Sequence, residues 1–364
     1  MNQINPYSYV KNCWYVAGLS DEFEKGKLTS HKICNRRMVI WRGKDGKMAA
    51  LDDRCAHKRF PLSQGRLMED GTLECAYHGI CYNTSGKCVR IPAQEDREIP
   101  PQAKVPAIPL IEQDGIVWVW PGDPAKCNDR RPVPAPIVAD DEWESISTGP
   151  MEVPANSLLL IENLLDITHF YPLHDGNIGD IANSRLPVEM EEGDIEGNPY
   201  IKNIRRAENY EQPPFLVDWF GYETVDRLHT HALIGPAFTH VEMHVAPPGQ
   251  LDTDAERGYV LMHTHTPVDE RNHVWRIIIN CKAAHRSKGD PTKSAAKRVA
   301  EMFPSVIAED RWALEKQQEM FELPLDGYSE LFLRTDTALR RARNIFVSML
   351  REEMGSDAAR NAAE

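Results

Sequence analysis

Four side chains between Cys55 and His78 have the chemistry to bind a metal. They come in two pairs, Cys55 with His57 and Cys75 with His78, and 17 residues separate the pairs. Each pair lies beside a loop that contains glycine or proline. Two thiolates and two imidazoles fit either tetrahedral zinc or a [2Fe–2S] cluster in which two histidines replace two cysteines on one iron.

The spacing of these residues favours the iron–sulfur cluster. Zinc fingers usually keep their cysteines together and their histidines together, whereas each loop here supplies one of each. The pattern Cys-x-His-x17-Cys-x2-His, with Tyr77-His78-Gly79 in the second loop, resembles the Rieske signature. That family usually has a tryptophan after the glycine, where this chain has Ile80; the difference concerns packing beside the cluster and not ligation.

A second candidate metal site comprises Asp166, His169 and His174. Two imidazoles and one carboxylate, with coordination positions left open, suit an Fe(II) ion that binds O2. If a predicted helix continues through them, Asn163, Asp166 and His169 share one face. Pro172 would then end the helix and turn His174 back towards His169. The same histidine pair is also compatible with helix capping or with hydrogen-bonded core residues.

The order of apolar runs and turns predicts an α+β chain. Short strands with turn residues every eight to twelve positions predict a small antiparallel β domain over residues 7–124. Residues 125–150, rich in Pro, Asp and Arg, are predicted to be a linker or wrapping segment. The region 151–354 combines a helix over 156–168, several strands and two further helices. Residues 355–364 are predicted to be a polar tail that frays.

The composition limits the partners and the compartment. The 364 residues carry 42 Lys and Arg against 55 Asp and Glu, a net charge of −13, which argues against nucleic acid or an anionic membrane as a partner. No stretch approaches the roughly 18 apolar residues of a membrane span, and the first residues lack a signal-peptide pattern. Although Cys81 and Cys88 flank a turn and could pair, free thiols in a reducing cytoplasm are the favoured interpretation.

The chain as a whole resembles the oxygenase component of a Rieske non-haem iron oxygenase, in the vanillate O-demethylase and dicamba monooxygenase branch. The resemblance extends nearly end to end, through residues 12–17, the two metal-binding loops, residues 117–123, residues 162–169 and residues 308–310. It implies an N-terminal antiparallel β Rieske domain. It also implies a C-terminal catalytic domain of the helix-grip type, in which helices flank an antiparallel sheet.

The resemblance also implies the ligands of a mononuclear iron. Two are His169 and His174, and the third is the Asp of a Glu-Asp pair on a long C-terminal helix, followed by Leu-Glu-x-Gln-Gln. Glu309 and Asp310 form that pair here, and we assign Asp310. Spacing alone would favour a solvated helix carboxylate paired with Arg311 or Lys316, and it leaves Glu309 open as the nearest alternative ligand.

In the family, the residue matching Asp166 links the two metal centres of neighbouring subunits. The resemblance therefore implies that Asp166 accepts one hydrogen bond from His169 and another from His78 of the partner subunit, with Asn163 lining the same site. It implies a homotrimer. Because the chain lacks a Gly-x-Gly-x-x-Gly fingerprint, NAD(P)H electrons are expected to arrive through a separate flavin or iron–sulfur reductase, with or without a ferredoxin.

The expected activity is O2-dependent O-demethylation or hydroxylation of an aromatic substrate that carries a carboxylate or a phenol. The sequence does not separate these two reactions. Two other classes stay open: a stand-alone Rieske electron carrier without the mononuclear iron, and a zinc-stabilised binding protein.

Further histidines recur in the second half of the chain. Because side chains two apart share a strand face, some could line a substrate cavity, but hydrogen-bonded strand residues are the favoured interpretation and none is assigned as a ligand. They are His229, His231, His240, His244, His263 and His265.

Overall fold

The computed structural model describes residues 4–175, 177–324, 327 and 330–361, without the side chains of 356–361. The chain forms two compact units. The N-terminal unit comprises Lys11–Pro132 and Thr266–Asp269, and the C-terminal unit comprises Met1–Val10, Val133–His265 and Glu270–Glu364.

The N-terminal unit is built from short antiparallel strands. Their bounds are β1 Tyr15–Leu19, β2 Leu28–Ile33, β3 Arg36–Arg42, β4 Met48–Asp52, β5 Arg66–Leu67, β6 Leu73–Glu74, β7 Cys81–Tyr82, β8 Cys88–Arg90, β9 Leu110–Gln113 and β10 Ile116–Val119. They form sheets with the orders β1-β10-β9, β2-β3-β4 and β5-β6-β7-β8. Every residue of β10 is buried, in keeping with its β-branched and aromatic side chains, which pack well in a sheet interior.

The C-terminal unit is organised around one large sheet. Its strands are β11 Trp143–Ser147, β12 Met151–Val153, β13 Glu189–Ile195, β14 Asn198–Glu211, β15 Thr224–Ile234, β16 Phe238–Ala246, β17 Arg257–Pro267 and β18 His273–Lys282. Their order is β11-β18-β17-β16-β15-β14-β13, and β12 also pairs with β18. Because side chains alternate between the faces of a strand, every second residue of β15, β16 and β17 points to the same side.

Helices contribute to the core of this unit together with the sheet. Their bounds are α1 Ser157–Leu165, α2 Phe170–Leu173, α3 Ile181–Ser184, α4 Pro214–Phe220, α5 Ala295–Phe321 and α6 Thr337–Asn361. Side chains from α1, α4, α5 and the strands form one buried apolar cluster, which includes Leu160, Leu216, Trp219, Trp275 and Val299. The cluster fixes α1, which leads into the segment with His169 and His174, and α5, which carries Asp310.

Three predicted boundaries differ from the structure. The predicted linker contains β11, which is a sheet strand because Trp143 and its neighbours pair with β18 and Lys282 lies over the indole. The sequence predicts an interruption at Pro304 in the helix over about 291–322, but α5 continues through it, with the neighbouring Phe303 and Val306 buried in the core. Helix α6 continues past the predicted tail boundary to Asn361, because one glycine costs a helix only about 1 kcal/mol; residues 362–364 lie outside the described residues.

Candidate active site

The two loops that carry the Cys–His pairs have the same backbone hydrogen bonds. In each, the cysteine N–H donates to the carbonyl five residues later (2.9 Å in both loops), and the cysteine carbonyl accepts from the N–H four residues later (3.0 and 2.9 Å). The residue at that fourth position is Arg59 or Gly79, with a φ of 56° or 68°. For arginine this left-handed conformation costs roughly 1–2 kcal/mol, and such strain is often found at functional sites.

The four side chains on these loops form a cysteine pair and a histidine pair. Cys55 and Cys75 are buried, and the Cys55 Sγ lies 3.2 Å from the Tyr82 hydroxyl. Burial, together with the neighbouring Cys55, raises the pKa of the Cys75 thiol. By contrast His57 and His78 are exposed, and their Nδ1 atoms are 3.2 Å apart.

This arrangement fits a two-iron cluster better than a single zinc ion. Tetrahedral zinc would bring all four ligand atoms to within about 4 Å of one another. Across the described residues, the only group of three or more His, Cys, Asp or Glu whose ligand atoms lie within 4.8 Å of one another is His169, His174 and Asp310. Ile80, at the position of the family's tryptophan, is buried in the same apolar cluster as the two cysteines.

The second set of ligands begins where α1 ends. The helix stops at Leu165, and Asp166 is extended, with φ −94° and ψ 126°. The expected continuation through His169 is therefore wrong, and Pro172 lies inside α2 and does not end α1. The physical reason is local: Asp166 Oδ1 accepts hydrogen bonds from both the N–H and the hydroxyl of Thr168, each 2.7 Å, and such a turn competes with the helix.

Three potential ligands converge from separate elements. His169 precedes α2, His174 follows it, and Asp310 lies on α5. The Oδ1 of Asp310 lies 3.2 Å from His174 Nε2 and 3.6 Å from His169 Nε2. The His174 Nε2 atom is buried and has no hydrogen-bond partner within the described part of the chain. This set of two imidazoles and one carboxylate is the donor set of non-haem iron oxygenases.

Neighbouring polar groups orient these ligands. Glu309 Oε2 lies 2.7 Å from His174 Nδ1, and Asn177 donates to the other Glu309 oxygen (2.5 Å). Because an ionised carboxylate only accepts, His174 Nδ1 carries a proton, and its Nε2 faces Asp310. Burial acts to lower the pKa of His174, but Asp310 and Glu309 outweigh it and raise the pKa. Asn163 donates to Asp310 Oδ1 (3.0 Å).

Asp166 adjoins the opposite side of His169. Its Oδ2 lies 3.5 Å from His169 Nδ1, too far for a good hydrogen bond. Burial acts to raise the pKa of Asp166, but His169 and the bonds from Thr168 outweigh it and hold the pKa below its ordinary value. The Asp166 side chain is still 22% exposed, so it remains accessible from outside this unit.

A cavity of about 690 Å³, its mouth included, lies beside the three ligands. His169, His174 and Asp310 are part of the lining. Almost half of the apolar lining is aromatic, namely Phe170, Phe215, Trp219, Tyr259 and Phe303, and the rest is aliphatic.

Two residues of the cavity lining carry a buried hydrogen-bond donor without a partner among the described residues. Arg227 Nη1 donates to Asp180 (3.1 Å), which also accepts from Tyr210 (2.7 Å), but Arg227 Nε is buried with no partner among the described residues. Trp275 donates to His263 Nδ1 (3.1 Å). Since burial lowers the pKa of His263 and keeps the ring neutral, its proton is on Nε2, which is buried and likewise unpaired in the described chain.

The additional histidines have different positions. His229, His231 and His263 line the cavity, whereas His240 and His244 lie on the other face of β16, where they flank Glu242. His265 is buried and bonded to Thr239. Sequence reasoning missed Arg227 and Asp180 as cavity residues; the alternation Arg227-x-His229-x-His231 was a signal for Arg227, while Asp180 had none.

The two ligand sets, one on paired loops of a β unit and one beside a cavity of an α+β unit, define a Rieske-type non-haem iron oxygenase component. Residues 13–109 match the model of the Rieske [2Fe-2S] domain, and residues 153–352 match that of the vanillate O-demethylase oxygenase C-terminal domain. The chain belongs to the vanillate O-demethylase oxygenase family.

Individual relatives agree with this assignment. The chain is 32% identical over 357 residues to a putative toluene-4-sulfonate monooxygenase system iron-sulfur subunit of Comamonas testosteroni, covering 96% of this chain and 99% of the relative. It is 30% identical over 325 residues to the vanillate O-demethylase oxygenase subunit of Pseudomonas sp. (strain HR199 / DSM 7063), covering 85% and 86%. The crystal structure of dicamba monooxygenase bound to 3,6-dichlorosalicylic acid matches with a TM-score of 0.83 at 25% identity, covering 95% and 99%.

The family assignment confirms the predicted α+β fold class, the two cofactors and the enzyme class. It does not support the stand-alone electron carrier or the zinc-stabilised binding protein. None of the eight cysteines, each within the described residues, forms a disulfide, Cys81 and Cys88 included. Over the described residues, no helix combines the length and apolar character needed to cross a bilayer.

Proposed function

We propose specific ligands for the two cofactors of this oxygenase. The cluster ligands are Cys55, His57, Cys75 and His78, and the iron ligands are His169, His174 and Asp310. When bound, the cluster supplies single electrons and the ferrous ion supplies O2 activation. The observation that carries the proposal is the convergence of His169, His174 and Asp310 within 4.8 Å beside an aromatic cavity.

The choice of Asp310 over Glu309 rests on two distances. Asp310 Oδ1 is 3.2 Å from the Nε2 of His174, while Glu309 bonds to the Nδ1 of the same ring at 2.7 Å. In this arrangement Glu309 orients the imidazole and raises its basicity, as carboxylates do for metal-bound histidines. Asn163 holds one oxygen of Asp310 and so limits how the carboxylate can rotate.

We also propose that Asp166 links this site to His78 of the partner subunit in a homotrimer. Its partial exposure beside His169 and the exposure of both cluster histidines support such a contact. The charges of the two units support it as well. The N-terminal unit carries 20 Lys and Arg against 17 Asp and Glu, a formal charge of +3, which leaves −16 for the rest of a chain with −13 in total. Opposite charges on different surfaces favour head-to-tail association, which gives a ring if it closes.

Electrons are proposed to come from NAD(P)H through a separate flavin or iron–sulfur reductase, with or without a ferredoxin. Relatives named as subunits of a monooxygenase system support the separate donor. A cytoplasmic location is part of the proposal, and the lack of disulfides among the eight described cysteines supports it, since disulfides are rare in that compartment.

The proposed substrate is an aromatic compound with a carboxylate, or another acidic or phenolic oxygen, that is O-demethylated or hydroxylated. The aromatic lining provides surfaces for a ring. The unpaired N–H groups of Arg227 and His263 provide donors for an oxygen, and leaving such donors unpaired would cost about 1–3 kcal/mol each. The relatives are named for toluene-4-sulfonate, vanillate and dicamba.

A substrate panel with a surrogate reductase tests this proposal. Methoxylated benzoates, methoxyphenols and matched neutral anisoles are compared for substrate-dependent NADH use, O2 use and formaldehyde release. We expect the acidic or phenolic compounds to stimulate turnover and the neutral anisoles to do so weakly. Formaldehyde equal to O2 consumed indicates O-demethylation, and hydroxylated product without formaldehyde indicates hydroxylation. Equal turnover of the neutral analogues would contradict the proposed substrate class.

A further inference from the structure

A series of hydrogen-bonded, buried polar side chains runs along the cavity wall to the end of α1. His231 Nδ1 lies 2.5 Å from the carbonyl oxygen of Leu164, in the last turn of that helix. The Nε2 atoms of His231 and His229 are 3.0 Å apart. His229 Nδ1 in turn lies 3.4 Å from the Asn183 amide nitrogen and 3.5 Å from Arg227 Nη2.

The ends of this chain determine where each proton is. A carbonyl only accepts, so His231 Nδ1 must donate to Leu164. Burial lowers the pKa of His231 to about 3 and that of His229 well below its ordinary value, so both rings are neutral. The Nε2 of His231 is therefore an acceptor, the Nε2 of His229 donates to it, and the Nδ1 of His229 faces the N–H groups of Arg227 and Asn183.

The direction of these hydrogen bonds excludes a role in proton delivery. Every N–H points from Arg227 towards the backbone of α1, and the last acceptor is an amide carbonyl, which has no proton to pass on. These side chains instead supply a hydrogen-bond donor for the Leu164 carbonyl, which lies in the last turn of α1, where carbonyls have no partner within the helix. A second side chain serves the next carbonyl, because Asn203 on β14 donates to Leu165 O (3.0 Å).

We propose that His231 and Asn203 are positioning residues for the iron site, which hold the last two carbonyls of α1 and thereby fix the turn that carries Asp166 and His169. The helix ends at Leu165, and the turn begins at Asp166. The hydrogen bonds from His231 and Asn203 therefore fix the position of this turn, which helical hydrogen bonds would fix if the helix continued. This inference rests on the proposed iron ligands.

The test uses the full chain with its cluster in the oxidised, EPR-silent state, stripped of mononuclear iron by a chelator. Co²⁺ is the probe, and its affinity is measured by equilibrium dialysis while its EPR spectrum reports ligand geometry. His231→Leu and Asn203→Leu remove one donor each. His231→Asn keeps an N–H near the position of Nδ1. Thr230→Val is the matched control, because Thr230 is equally buried between the two histidines on β15 and its hydroxyl has no partner among the described residues.

We expect His231→Leu and Asn203→Leu to weaken Co²⁺ binding about tenfold, the lower end for residues that support metal ligands, and to change the EPR spectrum. His231→Asn and Thr230→Val should bind as the unmodified chain does, and cluster absorption should be unchanged in all four. Should His231→Leu fail to fold, Asn203→Leu decides alone. Unchanged binding in the leucine variants, or equal loss in Thr230→Val, overturns the positioning role. Failure of the unmodified chain to bind Co²⁺ would instead overturn the iron site itself.

Discussion

Replacing Glu309 should weaken iron binding without abolishing it. Its 2.7 Å contact with His174 is a hydrogen bond to a charged group, worth about 1.5–3 kcal/mol. Since 1.4 kcal/mol corresponds to a factor of ten, Glu309→Leu should lower the affinity for Fe²⁺ by about 10- to 100-fold, in the range measured for carboxylates behind metal-bound histidines. Glu309→Gln keeps a neutral acceptor, so it should lose about half of that energy, or roughly three- to tenfold.

The assay is anaerobic Fe²⁺ titration against a competing chelator, with cluster absorption as a check on folding. Glu319→Leu, an exposed carboxylate further along α5 that pairs only with Lys316 in the described chain, is the control and should bind as the unmodified chain does. Asp310→Asn should lose binding almost completely, because it removes a ligand charge. The reasoning is refuted if Glu309→Leu abolishes binding while Asp310→Asn retains it, since the two acidic residues would then have exchanged roles.

Three further outcomes are expected. Asp166→Asn should keep both metal centres but reduce coupled turnover about 10- to 100-fold, as measured by product formed per NADH; full activity would reject the link between subunits. Tyr82→Phe removes the hydroxyl beside Cys55, and losing about 1 kcal/mol from the reduced state should lower the cluster potential by roughly 40 mV in a redox titration; an unchanged or higher potential would contradict this. Arg343→Met leaves the buried Glu162 carboxylate without its charged partner, with only the Tyr7 hydroxyl donating to it at 3.4 Å, and should lower the free energy of unfolding by about 3–5 kcal/mol; an unchanged thermal midpoint would contradict this.

The Rieske domain could be predicted from sequence because its motif is local, while the assignment of the four cluster ligands stays a prediction. Cys55 and His57 are two residues apart and Cys75 and His78 are three apart, so the pattern that indicates the cluster lies within two short segments. The end of α1 could not be predicted in the same way. Its apolar pattern continues to Ile167, but the side chain of Asp166 captures the N–H and hydroxyl of Thr168, and that competition is decided by two hydrogen bonds that hydrophobic periodicity does not report.

The polar residues of the cavity could not be predicted from sequence for a different reason. Arg227 and Asp180 are 47 residues apart, and only the pairing of β14 with β15 and the packing of the loop before α3 bring them together. Similarly, the side chains of neighbouring residues on a helix point about 100° apart. Whether Glu309 or Asp310 points towards the histidines therefore depends on how α5 packs against the rest of the unit. Its assignment as a ligand stays a prediction, which the 3.2 Å distance to His174 supports.

The central claim is that one chain holds two different iron centres. Its most direct test is the ratio of iron to acid-labile sulfide in anaerobically reconstituted protein, measured for the unmodified chain and for His174→Ala. We predict about three irons for every two sulfides in the unmodified chain and about two for two in the variant. A ratio of two to two in the unmodified chain, with no loss on replacing His174, would contradict the account.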